Sequence, residues 1–415
     1  MTVVLERTLD RFHRRGRRHN ASKTAIVDVL RGRELTSGEL EQTVRRVAGK
    51  FQKVGLRSNV QFYADNSLPA VVALQAAFFN NATVLLLSPD ETVKRDEYGF
   101  QTKEAEVEYI ITDSKNFNLM LEKVLLIDGS LPPGEHARVA LINELPDGAY
   151  VEPAVRIKKD VLILLYTSGS TGLPKGVMHS HYNYVTSLQI MHHLGWCETY
   201  DRVLVASSLT YVSGLILHGG SLAYGATLLL ASSVIEVDYP RYAELYKPTI
   251  SLLLEVPARN IVTNSSRYRN AVEMVSTFRL MLISGTVFPE KLRISVQKLF
   301  TNVNFVQLYG MTEAIGAIVA SDPQPVIPIS AGYAVPNVII RVLNESGKPV
   351  KVGAQKTLGY WKRMADDCTE DGLYPTGDIG VIDEDGQLNL LGRNKQFIIC
   401  FDSPSIVHED RECSP

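Results

Sequence analysis

The chain predicts an α/β fold in which mostly parallel sheets are covered by helices, followed by a smaller antiparallel region. Two observations carry that expectation. Short, uniformly apolar runs such as Val161-Leu-Ile-Leu-Leu165 and Ala226-Thr-Leu-Leu-Leu-Ala231 alternate with segments of helical spacing. A strand buried on both faces reads as continuous apolar sequence, so this alternation favours parallel sheets between helix layers. From about residue 327 the texture shifts to short strands and tight polar turns, as at Glu384-Asp-Gly386, a pattern of antiparallel hairpins.

The elements follow in order. Leu40, Val44, Val47, Ala48, Phe51 and Val54 recur at helical spacing over 39–56, and a second, more apolar helix is predicted over 68–79. Strands are expected at 82–87, 107–111 and 124–127, and Pro132-Pro133-Gly134 marks a surface loop. Beyond Asp160 the strands are 161–165, 203–206, 226–231, 250–254, 280–283 and 304–308, with helices between several of them. The last third predicts strands at 338–343, 380–383 and 388–391, with turns at 345–348 and 384–386. The textures divide the chain into a first α/β unit at 1–160, a second at 161–326, a small β unit at 327–392 and a tail at 393–415.

A chain of 415 residues is too long for one simple core and predicts two or three packed units. Its 45% hydrophobic and 21% charged residues are those of an ordinary globular protein. A net charge of -2 gives no electrostatic reason to expect nucleic acid or an anionic membrane as partner. Cys197, Cys368, Cys400 and Cys413 show no C-x-x-C or metal-ligand spacing and read as reduced structural thiols of an intracellular protein. No apolar run approaches the roughly 18 residues that span a bilayer. The basic stretch Arg11-Phe-His-Arg-Arg-Gly-Arg-Arg18 is flanked by Glu6 and Asp10 and reads as a solvated helix face rather than a transit peptide. No Ser-Lys-Leu signal ends the chain, and a cytoplasmic location is expected; separately, a monomeric or weakly oligomeric state is expected.

The chemistry concentrates after the run at 161–165. Thr167, Ser168, Ser170 and Thr171 supply four hydroxyls, Gly169 and Gly172 free the backbone, and Lys175 adds a cation. Backbone N–H groups, hydroxyl donors and a positive point charge suit a polyphosphate. This is not the P-loop pattern, because no Lys-Ser or Lys-Thr pair opens a helix after a second glycine. Downstream stand Tyr309-Gly-Met-Thr-Glu313, Tyr374-Pro-Thr-Gly-Asp378 and Leu391-Gly-Arg-Asn-Lys395. The strand at 304–308 leads into the first of these, where α/β folds bind ligands.

These four strings, in this order, resemble the acyl-adenylate-forming enzymes, which include acyl- and 4-coumarate-CoA ligases, firefly luciferase and peptide-synthetase adenylation domains. Further similarity runs from Lys23-Thr-Ala-Ile26 and Leu35-Thr-Ser-Gly-Glu-Leu40 through Val177-Met-His-Ser-His181 and Tyr246-Lys-Pro-Thr249 to Glu255-Val-Pro257. The resemblance implies two α/β units with an appended small β-barrel. It also implies ATP-dependent activation of a small carboxylic acid as acyl-AMP, with Mg2+, and coenzyme A as co-substrate.

By the same resemblance 167–172 and Lys175 hold the β- and γ-phosphates, Tyr309 stacks on adenine, Thr312 contacts the α-phosphate and Glu313 ligates Mg2+. Asp378 and Arg393 become ribose contacts and Lys395 a hinge position. Tyr211, Gly214 and Thr286 become acyl-pocket residues, and Gly285 lines the adenine. Relatives carry proline where Ser208 stands and histidine where Tyr211 stands, a difference expected to alter specificity rather than chemistry. His179, His181, His192 and His193 offer no third ligand at suitable spacing and read as loop or helix-surface residues.

Three departures stand out. The family's mobile lid domain has no counterpart after Phe397-Ile-Ile399, and the polar tail from Cys400 reads as disordered. Only Ala354-Gln-Lys-Thr-Leu358 fills the interval where relatives place a barrel strand, and a smaller shortfall sits near Ser58-Asn59. The expectation is a shortened product of an adenylate-forming enzyme gene, with a doubtful thioester step. An impaired ATP- or acyl-binding isoform is the alternative, and a luciferase-like monooxygenase the third reading.

Overall fold

The computed structural model describes residues 21–89, 95–116, 124–129, 139–167, 174–231, 238–338, 340–342, 374, 376–393, 397–400 and 403–406. Among them two large mixed sheets carry the fold. Strand β1 (Thr24–Asp28) pairs antiparallel with β2 (Arg33–Thr36). A helix at Ser37–Lys53 follows, its first turn closed by Thr36 and Glu39, which exchange side-chain-to-backbone hydrogen bonds. Next come β3 (Asn59–Tyr63), β4 (Thr83–Leu86), β5 (Tyr109–Thr112), β6 (Val124–Leu126) and β7 (Val139–Leu141). They lie parallel in the order β7-β6-β5-β3-β4. Strand β8 (Val161–Thr167) adds in parallel beside β4, and β9 (Lys175–Ser180) returns antiparallel at the edge.

The second sheet takes β10 (Arg202–Val205), β11 (Thr227–Leu230), β12 (Ile250–Leu253), β13 (Leu280–Ile283) and β14 (Asn304–Met311). With β1 they run parallel in the order β14-β13-β12-β10-β11-β1. At its far edge lie the antiparallel β15 (Gly316–Ala320) and β16 (Tyr333–Ala334). The sheets are interleaved in sequence: β1 and β2 belong with β10 to β16, whereas β8 and β9 belong with β3 to β7. The division read at residue 160 is therefore not a division between sheets.

One apolar core joins the sheets through the helices Ser37–Lys53, Leu68–Phe79, His181–His193 and Val212–Tyr224. Leu68–Phe79 buries every residue from 70 to 79, as expected of a helix that is apolar all round. Ser67 caps it by accepting from the Ala70 N–H, and Pro69 sits in the first turn, where a missing N–H costs nothing. The helices Tyr239–Tyr246, Glu255–Ser265 and Glu290–Leu299 cover the outer face of the second sheet. Its N-terminal edge is locked by Asp201, which accepts from Arg279 at 2.6 and 2.8 Å and from Thr249 at 2.7 Å. Burial alone would raise the Asp201 carboxyl, but these bonds hold it below the ordinary carboxylate range.

Two small hairpins complete the described chain: β17 (Asp378–Ile382) with β18 (Leu388–Arg393), and β19 (Phe397–Cys400) with β20 (Ser403–Ile406). The first of these is what the described residues show of the β unit, and no closed barrel is found among them. No strand forms at the described residues of 338–343, while the interval 354–358 lies outside the description, as does the basic segment at 11–18. Within the tail, Ser403–Ile406 departs from the reading as disordered, because it pairs with Phe397–Cys400. No helix among the described residues is long and apolar enough to cross a membrane.

Candidate active site

Parallel strands deliver their following loops to one edge, and here four neighbouring strands deliver the residues singled out in the sequence. After β10 come Ser207 to Tyr211, after β12 Glu255, after β13 Gly285 and Thr286, and at the end of β14 Tyr309 to Glu313. The buried Asn66, just beyond β3 in the other sheet, fixes the first of these loops. Its amide donates to the carbonyls of Ser207 (2.9 Å) and Ala231 (2.7 Å) and accepts from the Leu209 N–H (2.9 Å). Gly214 lies in the first turn of the helix Val212–Tyr224, where a Cβ would sit 2.1 Å from the Ser208 carbonyl oxygen. Tyr211 is exposed at the N-cap of that helix. Gly285 adopts φ +91°, a conformation only glycine takes without strain. Beside it, Thr286 donates to Glu255 at 2.7 Å, and Glu255 is also paired with Arg259 at 2.6 Å.

Strand β14 runs three residues further than 304–308, because Tyr309, Gly310 and Met311 stay paired with β15. Tyr309 donates its hydroxyl to Asp378 Oδ2, across 69 residues of sequence. Asp378 opens β17 and stands directly opposite Arg393 of β18 in register. The two residues expected at a ribose are thus cross-strand neighbours. Tyr374, from the same motif, donates to Glu313 Oε1 at 3.0 Å.

Thr312 and Glu313 sit in a short 3-10 turn, Thr312–Ala314, which ends at Ile315 with φ +48°. The Thr312 carbonyl accepts from the Ile315 N–H at 3.0 Å and from His179 Nε2 at 2.8 Å.

Thr167 and Lys175 face each other across β8 and β9 in the last register pair before the connecting loop. The Lys175 backbone is therefore held opposite Thr167 at the end of an antiparallel strand pair. Ser168, Gly169, Ser170, Thr171 and Gly172 lie outside the described residues, as does Lys395.

Two histidines differ from their reading as surface residues: His179 and His181 are buried, His179 against the Thr312 carbonyl and His181 against the Asn81 side chain. Burial drives both imidazoles down to about 4, partly offset by the Thr312 carbonyl at His179 and by Asp160 near His181. His192 bonds the Cys197 carbonyl and stacks on Tyr224, and His193 is exposed. No cluster of three or more His, Cys, Asp or Glu able to hold a metal is found among the described residues. One carboxylate, Glu313, which accepts from the Tyr374 hydroxyl, fits a hard cation that keeps its waters and arrives with phosphate oxygens. It does not fit an all-protein metal cage.

One family matches most of the chain. Residues 12–359 fit the profile of the AMP-binding enzymes. The chain belongs to the AMP-binding enzyme family. It is 27% identical to a 2-succinylbenzoate–CoA ligase of Bacillus licheniformis over 385 residues, covering 88% of this chain and 76% of that protein. In three dimensions it resembles an anthranilate CoA ligase solved in complex with anthranoyl-AMP. The TM-score is 0.84 at 20% identity, over 96% of this chain and 80% of that one. A luciferase-like enzyme from the nonluminescent Zophobas morio mealworm gives a TM-score of 0.80 at 21% identity, covering 95% and 97%. The fold is thus that of the N-terminal domain of adenylate-forming enzymes.

Sequence reasoning missed Asn66, the pairing of Thr286 with Glu255, Tyr374 as a partner of Glu313, and the tie from His179 to Thr312. Asn66-Ser67 reads only as a helix cap, and nothing in a lone histidine on a strand announces a carbonyl partner 133 residues away.

Proposed function

We propose that this chain is an ATP-dependent acid–thiol ligase that first activates a small carboxylic acid as its acyl-adenylate, for transfer to coenzyme A. A substrate carboxylate oxygen attacks the α-phosphorus of ATP. The bond from that phosphorus to the β-bridging oxygen breaks, and pyrophosphate leaves with the electron pair. Such a step needs placement and charge stabilisation rather than a covalent nucleophile.

The reading rests on one observation above all. The end of β14 gathers Tyr309, Thr312 and Glu313, and the segment at 374–378 meets them there through Tyr374 and Asp378. In this assignment Asp378 and Arg393 hold the ribose, Tyr309 covers the adenine beside Gly285, and Thr312 faces the α-phosphate. Glu313 holds Mg2+, which would neutralise charge on the phosphates. Lys175 and the hydroxyls of Thr167, Ser168, Ser170 and Thr171 grip the β- and γ-phosphates. The loop 207–211, Gly214 and Thr286 bound the acyl group.

The decisive measurement is carboxylate-dependent ATP–pyrophosphate exchange over acetate, medium- and long-chain, cinnamate-type and benzoate-type acids. At least one acid is expected to support exchange, and Lys175→Ala to lower it by roughly 10²–10³-fold, the usual cost of one preorganised donor. An unmoved melting curve at millimolar ATP would overturn the site assignment. Tight ATP binding with no exchange for any acid would favour a nucleotide-binding protein instead.

A further inference from the structure

We infer that His179 is a positioning residue for adenylate formation, tying the turn that carries Thr312 and Glu313 to the strand that leaves the phosphate hairpin. The catalytic part of this inference rests on the adenylation reading above; the tie itself does not.

His179 lies on β9, four residues after Lys175 and opposite Ile163 of β8. It is fully buried, and its Nε2 lies 2.8 Å from the Thr312 carbonyl oxygen. A carbonyl only accepts, so Nε2 carries the proton and Nδ1 is left with a lone pair. No protein group among the described residues bonds that Nδ1. Burying an unmatched ring nitrogen costs free energy that a leucine at this place would not. The bond to Thr312 is what the histidine gains in return.

The turn that receives this bond needs holding. Ile315, a β-branched residue, stands at φ +48°, which persists only where the surroundings over-determine it. The Ile315 N–H and the His179 ring converge on the same carbonyl. Behind the turn, Gly316 lies against Ser187, close enough that a Cβ would touch the serine at 3.5 Å. A rigid strand from one sheet thus sets where the other sheet presents Thr312 and Glu313, relative to Lys175.

The test uses His179→Phe, which keeps aromatic volume without the donor, and His179→Gln, whose amide N–H reaches a similar place. Amide hydrogen exchange is read in the ligand-free protein, and kcat and KM for ATP in pyrophosphate exchange. His179→Phe is expected to speed exchange at 311–316 by about tenfold, the loss of one buried hydrogen bond. It should also lower kcat by between about tenfold and 10²-fold, as misplaced groups do, with KM for ATP held within about threefold. His179→Gln should recover most of both. Wild-type exchange and wild-type kcat in His179→Phe would overturn the inference. So would a uniform rise in exchange across both sheets that glutamine fails to reverse, because that pattern marks a packing role only. If the wild type supports no exchange with any acid, the adenylation reading fails and takes the catalytic part with it. The amide pattern at 311–316 then decides the tie alone.

Discussion

Asp378, which its motif matches to a ribose contact, makes contacts that its sequence neighbours do not reveal: it accepts the Tyr309 hydroxyl and faces Arg393 in register. Asp378→Ala should weaken ATP binding by roughly 10–100-fold, as expected for hydrogen bonds to a charged group, and Tyr309→Phe by no more than about tenfold. Calorimetric titration with ATP checks both, and wild-type affinity in Asp378→Ala would remove the carboxylate from the ribose. His181 yields a prediction of another kind. The fold buries it beside Asn81 and lowers its pKa to about 4, whereas an unfolded histidine titrates near 6.5. Between those values the unfolded chain binds a proton that the native state refuses, so stability is full above about pH 6.5 and falls as pH drops towards 4. The deficit is about 2 kcal/mol near pH 5. Urea unfolding at pH 7 and pH 5 should show the loss, reduced in His181→Gln; an equal pH dependence in the two proteins would assign the loss to other groups.

At the scale of elements, periodicity located what packing alone decides and missed what pairing decides. The helix at 68–79 and the strand at 280–283 were legible to the residue, because each is apolar on all faces that the core covers. The last three residues of β14 were not, since Tyr309-Gly-Met311 owes its extended form to β15, a partner with no local signature. The strand expected at 338–343 does not form at its described residues, although its composition favours one; propensity without a partner does not make a strand. The helix Val212–Tyr224 carries a sharper constraint, where Gly214 touches the Ser208 carbonyl. Gly214→Ala would place a Cβ 2.1 Å from that oxygen and should destabilise the fold by about 1–3 kcal/mol, as overpacking does. The displaced loop should also raise KM for the acid. A denaturation midpoint equal to wild type would mean that the loop at 207–211 shifts freely.

Across the whole molecule, the family motifs at 309–313 and 374–378 fall at one edge of the second sheet, but strand order did not follow from sequence, because β1 and β2 cross to the second sheet while β8 and β9 stay with the first. The hairpin of β17 and β18 is the outlying piece. Between 376 and 392 its buried residue is Leu388, which meets the second sheet through backbone bonds to Ala331 and Gly332 at 2.9 and 2.7 Å. The Ser330 hydroxyl adds a bond of 3.0 Å, and Asp378 its contact with Tyr309. Few buried contacts and short pairing mean a low local opening free energy. Without ligand, amides at 378–382 should therefore exchange faster than those of β10, β12 and β13. A nucleotide bridging Asp378 to the end of β14 would favour the closed hairpin by mass action, by about 2.7 kcal/mol at a hundredfold excess over Kd. Hydrogen exchange with and without ATP and Mg2+ reads this directly, as slowing confined to 378–393 and 309–313. Equal protection of hairpin and parallel sheets in the free protein would show that the hairpin is already fixed, and slowing spread evenly over both sheets would place the nucleotide elsewhere.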